Sequence, residues 1–168
     1  MVNLSVRQLY GLTDIDRFAQ LVRQHVDPRH VELEVTEGAL MSDPPSAEVK
    51  LVALNAHGFR LAIDDFGTGY SSLSRIKDLP FDTLKVDRMF IAGIRQPGKG
   101  EIVTQTILQL AQSLSLSAIA EGIETNQQRE VLRDWGCEYG QGFWFSPGLP
   151  AAELEALLRA SGVSSFGG

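Results

Sequence analysis

The feature that most constrains the fold is a regular alternation of short apolar runs, typical of strands, with longer amphipathic runs, typical of helices. The predicted strands are 2–6, 31–36, 60–64, 83–87, 117–121 and 142–146. The predicted helices are 14–26, 46–58, 101–116, 126–136 and 151–162. One strand and one helix recur roughly every 25 to 30 residues, which predicts a parallel sheet with helices packed outside it.

Polar residues fall near one end of every predicted strand. They are Asn3, Glu34 with Glu37, Asp64 with Asp65, Lys85 with Asp87, Glu121 with Glu124, and Gln141. An open doubly wound sheet gathers ligand groups at one switch point, whereas in a closed barrel every strand end faces the same mouth. Because all six units contribute a polar group, the pattern favours an α/β fold of the TIM-type (β/α) barrel.

The length of the chain limits how much of such a barrel it can form. A TIM-type barrel has eight strands and typically about 250 residues, whereas this chain has 168 residues and its first predicted strand begins almost at Met1. We therefore expect six of the eight strands, lacking the first two. The expected domain is 1–162, followed by a flexible tail at 163–168.

Composition argues against several classes of function. The net charge of −6 argues against duplex nucleic acid as a partner, because duplex binding needs a basic surface. No apolar run approaches the roughly 20 residues that span a bilayer. The single cysteine, Cys137, excludes an internal disulfide and fits a reducing compartment, so we expect a cytoplasmic domain, with membrane association of a parent protein left open.

Carboxylates at the strand ends suggest a metal site. The four that a barrel mouth would bring together are Glu34, Asp64, Asp65 and Glu121, and Asn3 would add a neutral oxygen. Crowded carboxylates repel one another, and hard divalent cations such as Mg²⁺, Mn²⁺ or Ca²⁺ relieve that repulsion. The three histidines fall in predicted helices or loops, so a zinc site is not expected.

Adjacent aspartates and a nearby lysine fit one particular chemistry. Asp64 and Asp65 can serve two ions, and two ions about 3.5 to 4 Å apart are the usual apparatus of phosphodiester hydrolysis. Lys85 would orient the attacking water or neutralise a phosphate oxygen. Taken singly, each motif has a simpler interpretation: an Asp-Asp turn, a solvated lysine on an edge strand, or a helix start with favourable acidic charge. Their joint placement favours the metal site.

Six motifs together resemble, in order and spacing, those of the EAL domain family. They are "NLS", "LEVTE", "DDFGTGYSSL", "LKVDRMFI", "AEGIET" and "YGQGFWFS". The resemblance implies a barrel of the TIM type with one antiparallel strand, and an enzyme that hydrolyses cyclic di-GMP to pGpG with Mg²⁺ or Mn²⁺. It also implies a homodimer formed through the loop after Asp65 and its following helix, and regulatory domains upstream in a parent protein.

The resemblance also assigns roles to individual residues. Asn3 and Glu34 resemble ligands of a first metal, Asp64 a ligand of both metals, and Asp65 a ligand of the second. Lys85 resembles the lysine that holds the attacking water, and Glu121 a metal ligand or acid–base partner. The residues that resemble supporting groups are Glu37, which would anchor the loop after Asp65, and Asp87, Glu124 and Gln141.

One departure keeps three functions open. The Glu-Ala-Leu segment that names the family, with its following arginine, would precede Asn3 and is absent from this sequence, while the same letters at Glu155 to Leu157 lie in a predicted helix. We expect a cyclic di-GMP phosphodiesterase domain, truncated at its N-terminus and impaired in this form. The alternatives are a non-catalytic cyclic di-GMP receptor or interaction module, and an unrelated metal-dependent barrel hydrolase.

Overall fold

The computed structural model describes residues 1–67, 76–95 and 99–160, and its centre is a six-stranded parallel sheet. The strands are β1 (Val2–Asn3), β2 (Glu32–Thr36), β3 (Arg60–Phe66), β4 (Thr83–Val86), β5 (Ser117–Glu121) and β6 (Tyr139–Gln141). They pair in sequence order, each parallel to the next. This half-barrel confirms the predicted fold class.

Helices follow the strands in the described part of the chain. They are α1 (Val6–Gly11), α2 (Ile15–Arg23), α3 (Glu37–Ser42), α4 (Pro44–Ala56), α5 (Arg88–Ala92), α6 (Lys99–Ser113), α7 (Asn126–Asp134) and α8 (Ala151–Ala160), with single 3₁₀ turns at Pro28–His30 and Gly93–Arg95. The sequence pattern missed α1, α3 and α5. Each has only five or six residues, too few to show a helical period.

The core lies between the sheet and the longer helices. Leu61, Ile63 and Leu84 on the central strands are fully buried, and Leu51 and Leu54 of α4 are buried with them in one cluster. Buried parallel strands carry continuous apolar runs, as Leu61 to Ile63 of β3 do here. This packing holds the central strands in place, and it therefore also fixes the positions of the polar residues at their ends.

Local capping sets several boundaries differently from the prediction. β1 ends at Asn3 rather than residue 6, because Ser5 forms a capping box with Gln8 and starts α1. Helix α2 begins at Ile15 and is capped by Asp14, whose carboxylate accepts from the Arg17 amide. These short-range hydrogen bonds decide where a strand stops and a helix begins.

The sixth predicted strand, 142–146, is wrong. The strand lies three residues earlier, at Tyr139–Gln141, and the aromatic run after it is a turn. The Ile123 carbonyl accepts from the Trp144 amide, and the Gly142 carbonyl accepts from the Phe145 amide. Aromatic residues favour strands in general, but here the hydrogen bond to the Ile123 carbonyl holds the chain in a turn outside the sheet.

The edge strands are more exposed than the centre of the sheet. Every residue of β1 and β6 is exposed, including Val2 and Tyr139, and α8 has no buried residue. Beside β6, Phe143 is 75% exposed. Among the described residues, none of the helices combines the length and the apolar character needed to cross a membrane.

Replacing Gly142 should test the turn that displaced the predicted strand. A Cβ at Gly142 would lie 2.3 Å from both the backbone nitrogen and the backbone oxygen of Ile123. Gly142→Ala should therefore lower the free energy of unfolding by about 2 kcal/mol or more, since backbone atoms yield less easily than side-chain ends. Gly148→Ala is the matched control, with nothing within 4 Å of the added carbon. Equal urea midpoints for the two variants would contradict this account.

Candidate active site

The register of the sheet brings the predicted polar residues to one edge. Parallel pairing places Asn3 beside Glu34 on the next strand, and Glu121 beside Gln141. Asp64 pairs with Thr36, the last residue of β2. Because all six strands are parallel, these residues lie at the carboxyl end of the sheet, where barrel enzymes of this type carry their active sites.

A buried cluster of charges centres on Lys85. Its Nζ lies 2.7 Å from Glu121 Oε1, 2.9 Å from Glu34 Oε2 and 3.1 Å from Asp64 Oδ1. The lysine side chain is only 5% exposed, and those of its three partners are 8% to 16% exposed. The cluster joins β2, β3, β4 and β5 at their carboxyl ends, so Lys85 is not a solvated residue on an edge strand.

The environment shifts the proton affinities of two members of the cluster. Burial alone would lower the pKa of Lys85, but hydrogen bonds to its carboxylate partners, Glu121 first, outweigh burial and raise the pKa above its usual value. Burial, together with the negative charges of Asp64 and Glu34, raises the pKa of Glu121 against the opposing effect of Lys85. Lys85 therefore stays an ammonium, and Glu121 holds a proton more readily than an ordinary carboxylate.

A β-bulge separates the two adjacent aspartates. Between Ile63 and Phe66 the register of β3 against β4 shifts by one residue, and Asp65 adopts the left-handed backbone conformation with φ of 55°. Such a bulge re-aims side chains next to active sites. Asp64 Oδ1 turns to Lys85 and also accepts from the Asp65 amide at 3.0 Å.

Asp65 lies in a second group of carboxylates. Burial raises the pKa of Asp65, and the negative charges of Asp64 and Asp87 raise it further. Asp87 also caps α5, where its Oδ1 accepts from the Met89 amide at 2.7 Å. Three acidic residues thus lie close together at one rim of the mouth, an arrangement that a cation would stabilise.

Glu37 holds the start of the loop that follows β3. It is 1% exposed, and its Oε2 accepts from the Gly67 amide at 3.0 Å. Its other oxygen, Oε1, is buried and has no hydrogen-bond partner among the residues that the structure describes. Gly67 has φ of 91°, and a Cβ there would lie 3.0 Å from the Phe90 ring. Gly67 is thus confined between the Glu37 carboxylate and the Phe90 side chain.

A cavity of about 740 Å³ adjoins the charged cluster. Gln141 links the two, because its Nε2 donates to Glu121 Oε1 at 2.7 Å and its side chain also lines the cavity. Glu124, Arg88 and Gln128 line the cavity too. A concave space of this size is in the range of small-molecule sites.

Two residues of the cavity were missed by sequence reasoning. Gln128 is buried, its Oε1 accepts from the amides of Glu124 and Thr125, and its Nε2 donates to the Ile91 carbonyl. The spacing Thr125-x-x-Gln128 is a capping-box signature that could have revealed it. Arg88 follows Asp87 on α5, and nothing in the sequence pattern marks it.

The side-chain oxygens at the strand ends are the ligand type that a hard divalent cation prefers, but they are not arranged around a common metal position. Oxygen ligands dominate, as Mg²⁺, Mn²⁺ and Ca²⁺ prefer. Within the described ranges, no three histidine, cysteine, aspartate or glutamate side chains are placed to hold one metal ion together. Lys85 neutralises Glu34, Asp64 and Glu121 instead. Asn3, on the exposed edge strand, lies outside this cluster.

Two expectations fall on residues that the structure leaves undescribed. The expected dimer contact was the loop after Asp65 and its following helix, and residues 68–75 lie outside the described part of the chain. The expected flexible tail, 163–168, lies outside it as well.

Comparison with known proteins points to one family. The EAL domain model matches residues 1–148. The cyclic di-GMP phosphodiesterase NbdA of Pseudomonas aeruginosa is 49% identical over 130 residues, which are 77% of this chain and 17% of NbdA. This chain therefore spans only a small part of that curated relative.

Solved structures agree with the sequence match. The PaMucR phosphodiesterase, solved in complex with c-di-GMP, superposes with a TM-score of 0.85 at 40% identity, covering 91% of this chain and 62% of that one. The manganese and cyclic di-GMP complex of Klebsiella pneumoniae BlrP1 has a TM-score of 0.79 at 32% identity, covering 86% and 38%. The motifs, the half-barrel and these matches place the chain in one group: it belongs to the EAL domain family.

Proposed function

We propose that this chain is part of a phosphodiesterase domain that hydrolyses cyclic di-GMP to pGpG with two divalent cations, Mg²⁺ or Mn²⁺. The observation that carries the proposal is the buried ammonium of Lys85, held by carboxylates from three neighbouring strands at the mouth of the half-barrel. The desolvation of so many buried charges is costly, so a cluster of this kind points to a catalytic role. The relatives NbdA and MucR are cyclic di-GMP phosphodiesterases by name.

The residues that would hold the two ions share oxygen donors at the strand ends. They are Asn3 and Glu34 for the first ion, Asp64 for both, Asp65 for the second, and Glu121 as a further ligand. When bound, the ions supply positive charge that polarises a phosphate oxygen and makes a water molecule more acidic. The manganese in the BlrP1 complex supports this kind of cofactor.

Side chains of this chain would then orient the water, handle the protons and bind the substrate. Lys85 offers an ammonium proton to the attacking water or to a phosphate oxygen, and its raised pKa keeps it charged. Glu121 is held by Gln141 and has two alternative roles: the further metal ligand, or an acid–base partner for the leaving oxygen, which its raised pKa would favour. Glu124 and Gln141 line the adjoining cavity, which would receive one nucleotide of the substrate.

A second candidate is a cyclic di-GMP receptor without turnover. Its support is the geometry of the described carboxylates, which converge on Lys85 rather than on a common metal position. The Glu-Ala-Leu letters at Glu155 to Leu157 lie on exposed α8, where Glu155 pairs with Arg159, and so they contribute nothing to the mouth. A homodimer formed through the loop after Asp65, upstream regulatory domains and a cytoplasmic location complete the proposal for the parent protein.

The metal role is tested by removing one carboxylate. Asp64→Asn should weaken Mn²⁺ binding by about tenfold or more, because an amide oxygen lacks the charge of the ligand it replaces. Isothermal titration calorimetry measures the affinity, and Asp78→Asn, at an exposed position, is the matched control. Equal affinity in wild type and Asp64→Asn would rule out the metal role.

The loop anchor is tested at Glu37. Glu37→Ala removes the acceptor of the Gly67 amide without removing a proposed metal ligand, so turnover of cyclic di-GMP should fall by about tenfold or more and should need more Mn²⁺. Glu138→Ala is the control, on a carboxylate away from the mouth. The assay is made on a domain that includes native upstream residues. Unchanged kcat and unchanged metal dependence would remove Glu37 from the mechanism.

Upstream sequence should determine activity. We expect the 168-residue chain alone to be slower by several orders of magnitude than a chain extended by about 70 native upstream residues, or two barrel units. The reason is that one anionic ligand and one phosphate-binding guanidinium would be missing, and tenfold in rate corresponds to about 1.36 kcal/mol. A monomeric 168-residue chain that forms pGpG as fast as the extended one would disprove this prediction.

A further inference from the structure

We propose that Lys85 is a displaceable counter-ion for the metal site: its ammonium neutralises the carboxylates before a divalent cation binds, and it must release at least one of them when the cation arrives. The proposal rests on the proposed function, since it concerns the same site. It adds a competition between a side chain and the cofactor that the assigned roles do not contain.

The first argument is a count of protons. An ammonium group has three protons to donate and no lone pair. The three oxygens around Lys85 Nζ, on Glu121, Glu34 and Asp64, lie at 2.7, 2.9 and 3.1 Å, all within hydrogen-bond range. The ammonium donates a hydrogen bond to Glu34 and forms close ion pairs with Asp64 and Glu121, so carboxylate oxygens surround it. A catalytic role for Lys85 towards a water molecule or a phosphate oxygen therefore requires that at least one of these contacts loosen first.

The second argument is the geometry of the carboxylates. In the part of the chain that the structure describes, no three acidic, histidine or cysteine side chains converge on a common metal position. They converge on the ammonium. Binding a cation with Glu34 and Asp64 as ligands therefore requires that at least one carboxylate turn away from Lys85.

The third argument is charge. Three carboxylates and one ammonium carry formal charges of −3 and +1, which leave −2 in a buried cluster. That residual charge attracts a divalent cation, while the ammonium repels it from a distance of a few ångströms. Removing the ammonium should therefore tighten metal binding, whereas removing a positive charge elsewhere should not.

The chain supplies a closely matched control in Lys50. Lys50 Nζ makes three hydrogen bonds, at 2.8 to 3.0 Å, but its acceptors are the backbone carbonyls of Leu9, Tyr10 and Leu12. Lys50→Met and Lys85→Met make the same change in net charge and side-chain volume. Only Lys85→Met removes an ammonium from the carboxylates.

The test is Mn²⁺ binding to the 168-residue chain, measured by isothermal titration calorimetry at pH 8 without substrate. Lys85→Met should lower the dissociation constant by about tenfold or more, and Lys50→Met should leave it within about twofold of wild type. Equal or weaker binding by Lys85→Met overturns the proposal.

The outcomes separate this proposal from the proposed function. If Asp64→Asn abolishes binding while Lys85→Met leaves the affinity unchanged, the metal site stands and the counter-ion role fails. If wild type and every variant fail to bind Mn²⁺, both proposals fail together.

A second measurement needs no variant and so does not depend on one that folds. Reductive methylation followed by mass spectrometry reports the reactivity of each of the chain's four lysines. Saturating Mg²⁺ should raise the rate at Lys85 relative to exposed Lys77 and leave Lys50 unchanged. An unchanged ratio of Lys85 to Lys77, with Mg²⁺ bound by calorimetry, contradicts the release of the ammonium.

Discussion

The contact between the Lys85 ammonium and its three carboxylates is the interaction on which the site depends. Carboxylates buried so close together would repel one another, and the desolvation of each is costly unless a cation lies among them. Lys85 supplies that cation from β4, which lies between the strands that carry Asp64 and Glu121. The site is therefore assembled around the positive charge of a side chain.

The surrounding fold makes this arrangement possible. β3 and β4 are central, buried strands that pack against neighbouring strands and helices, so their ends have little freedom to separate and relieve the charge. The bulge in β3 then gives Asp65 a left-handed backbone conformation, and its carboxylate interacts with those of Asp64 and Asp87. Asp64 consequently contacts Lys85, whereas the neighbouring Asp65 belongs to the group of carboxylates at the rim of the mouth.

The sequence predicted the architecture well because alternation of strand and helix is a long-range pattern. The strand-end residues followed, since parallel pairing obliges them to share one edge. What the pattern did not contain was short-range geometry: the cap at Ser5 that ends β1, the turn at Gly142 that replaced a predicted strand, and the bulge at Asp65. Each depends on a few local contacts, which no periodicity records. Gln128 is an intermediate case. The sequence shows its capping box, but it does not show the hydrogen bond from the Gln128 side chain to the Ile91 carbonyl.

The polar network behind the site connects chemistry to recognition. Gln141 donates to the Glu121 carboxylate and lines the adjoining cavity, so a ligand that moves Gln141 also changes the environment of Glu121. On the other side, the Glu37 carboxylate fixes the Gly67 amide with one oxygen and leaves its second oxygen buried and unpartnered among the described residues. A buried acceptor without a donor is costly, so the Gly67 amide is the contact that makes burial of the Glu37 carboxylate tolerable. Glu37 thus fixes the end of β3 at one side of the mouth, while Gln141 fixes the Glu121 carboxylate at the other.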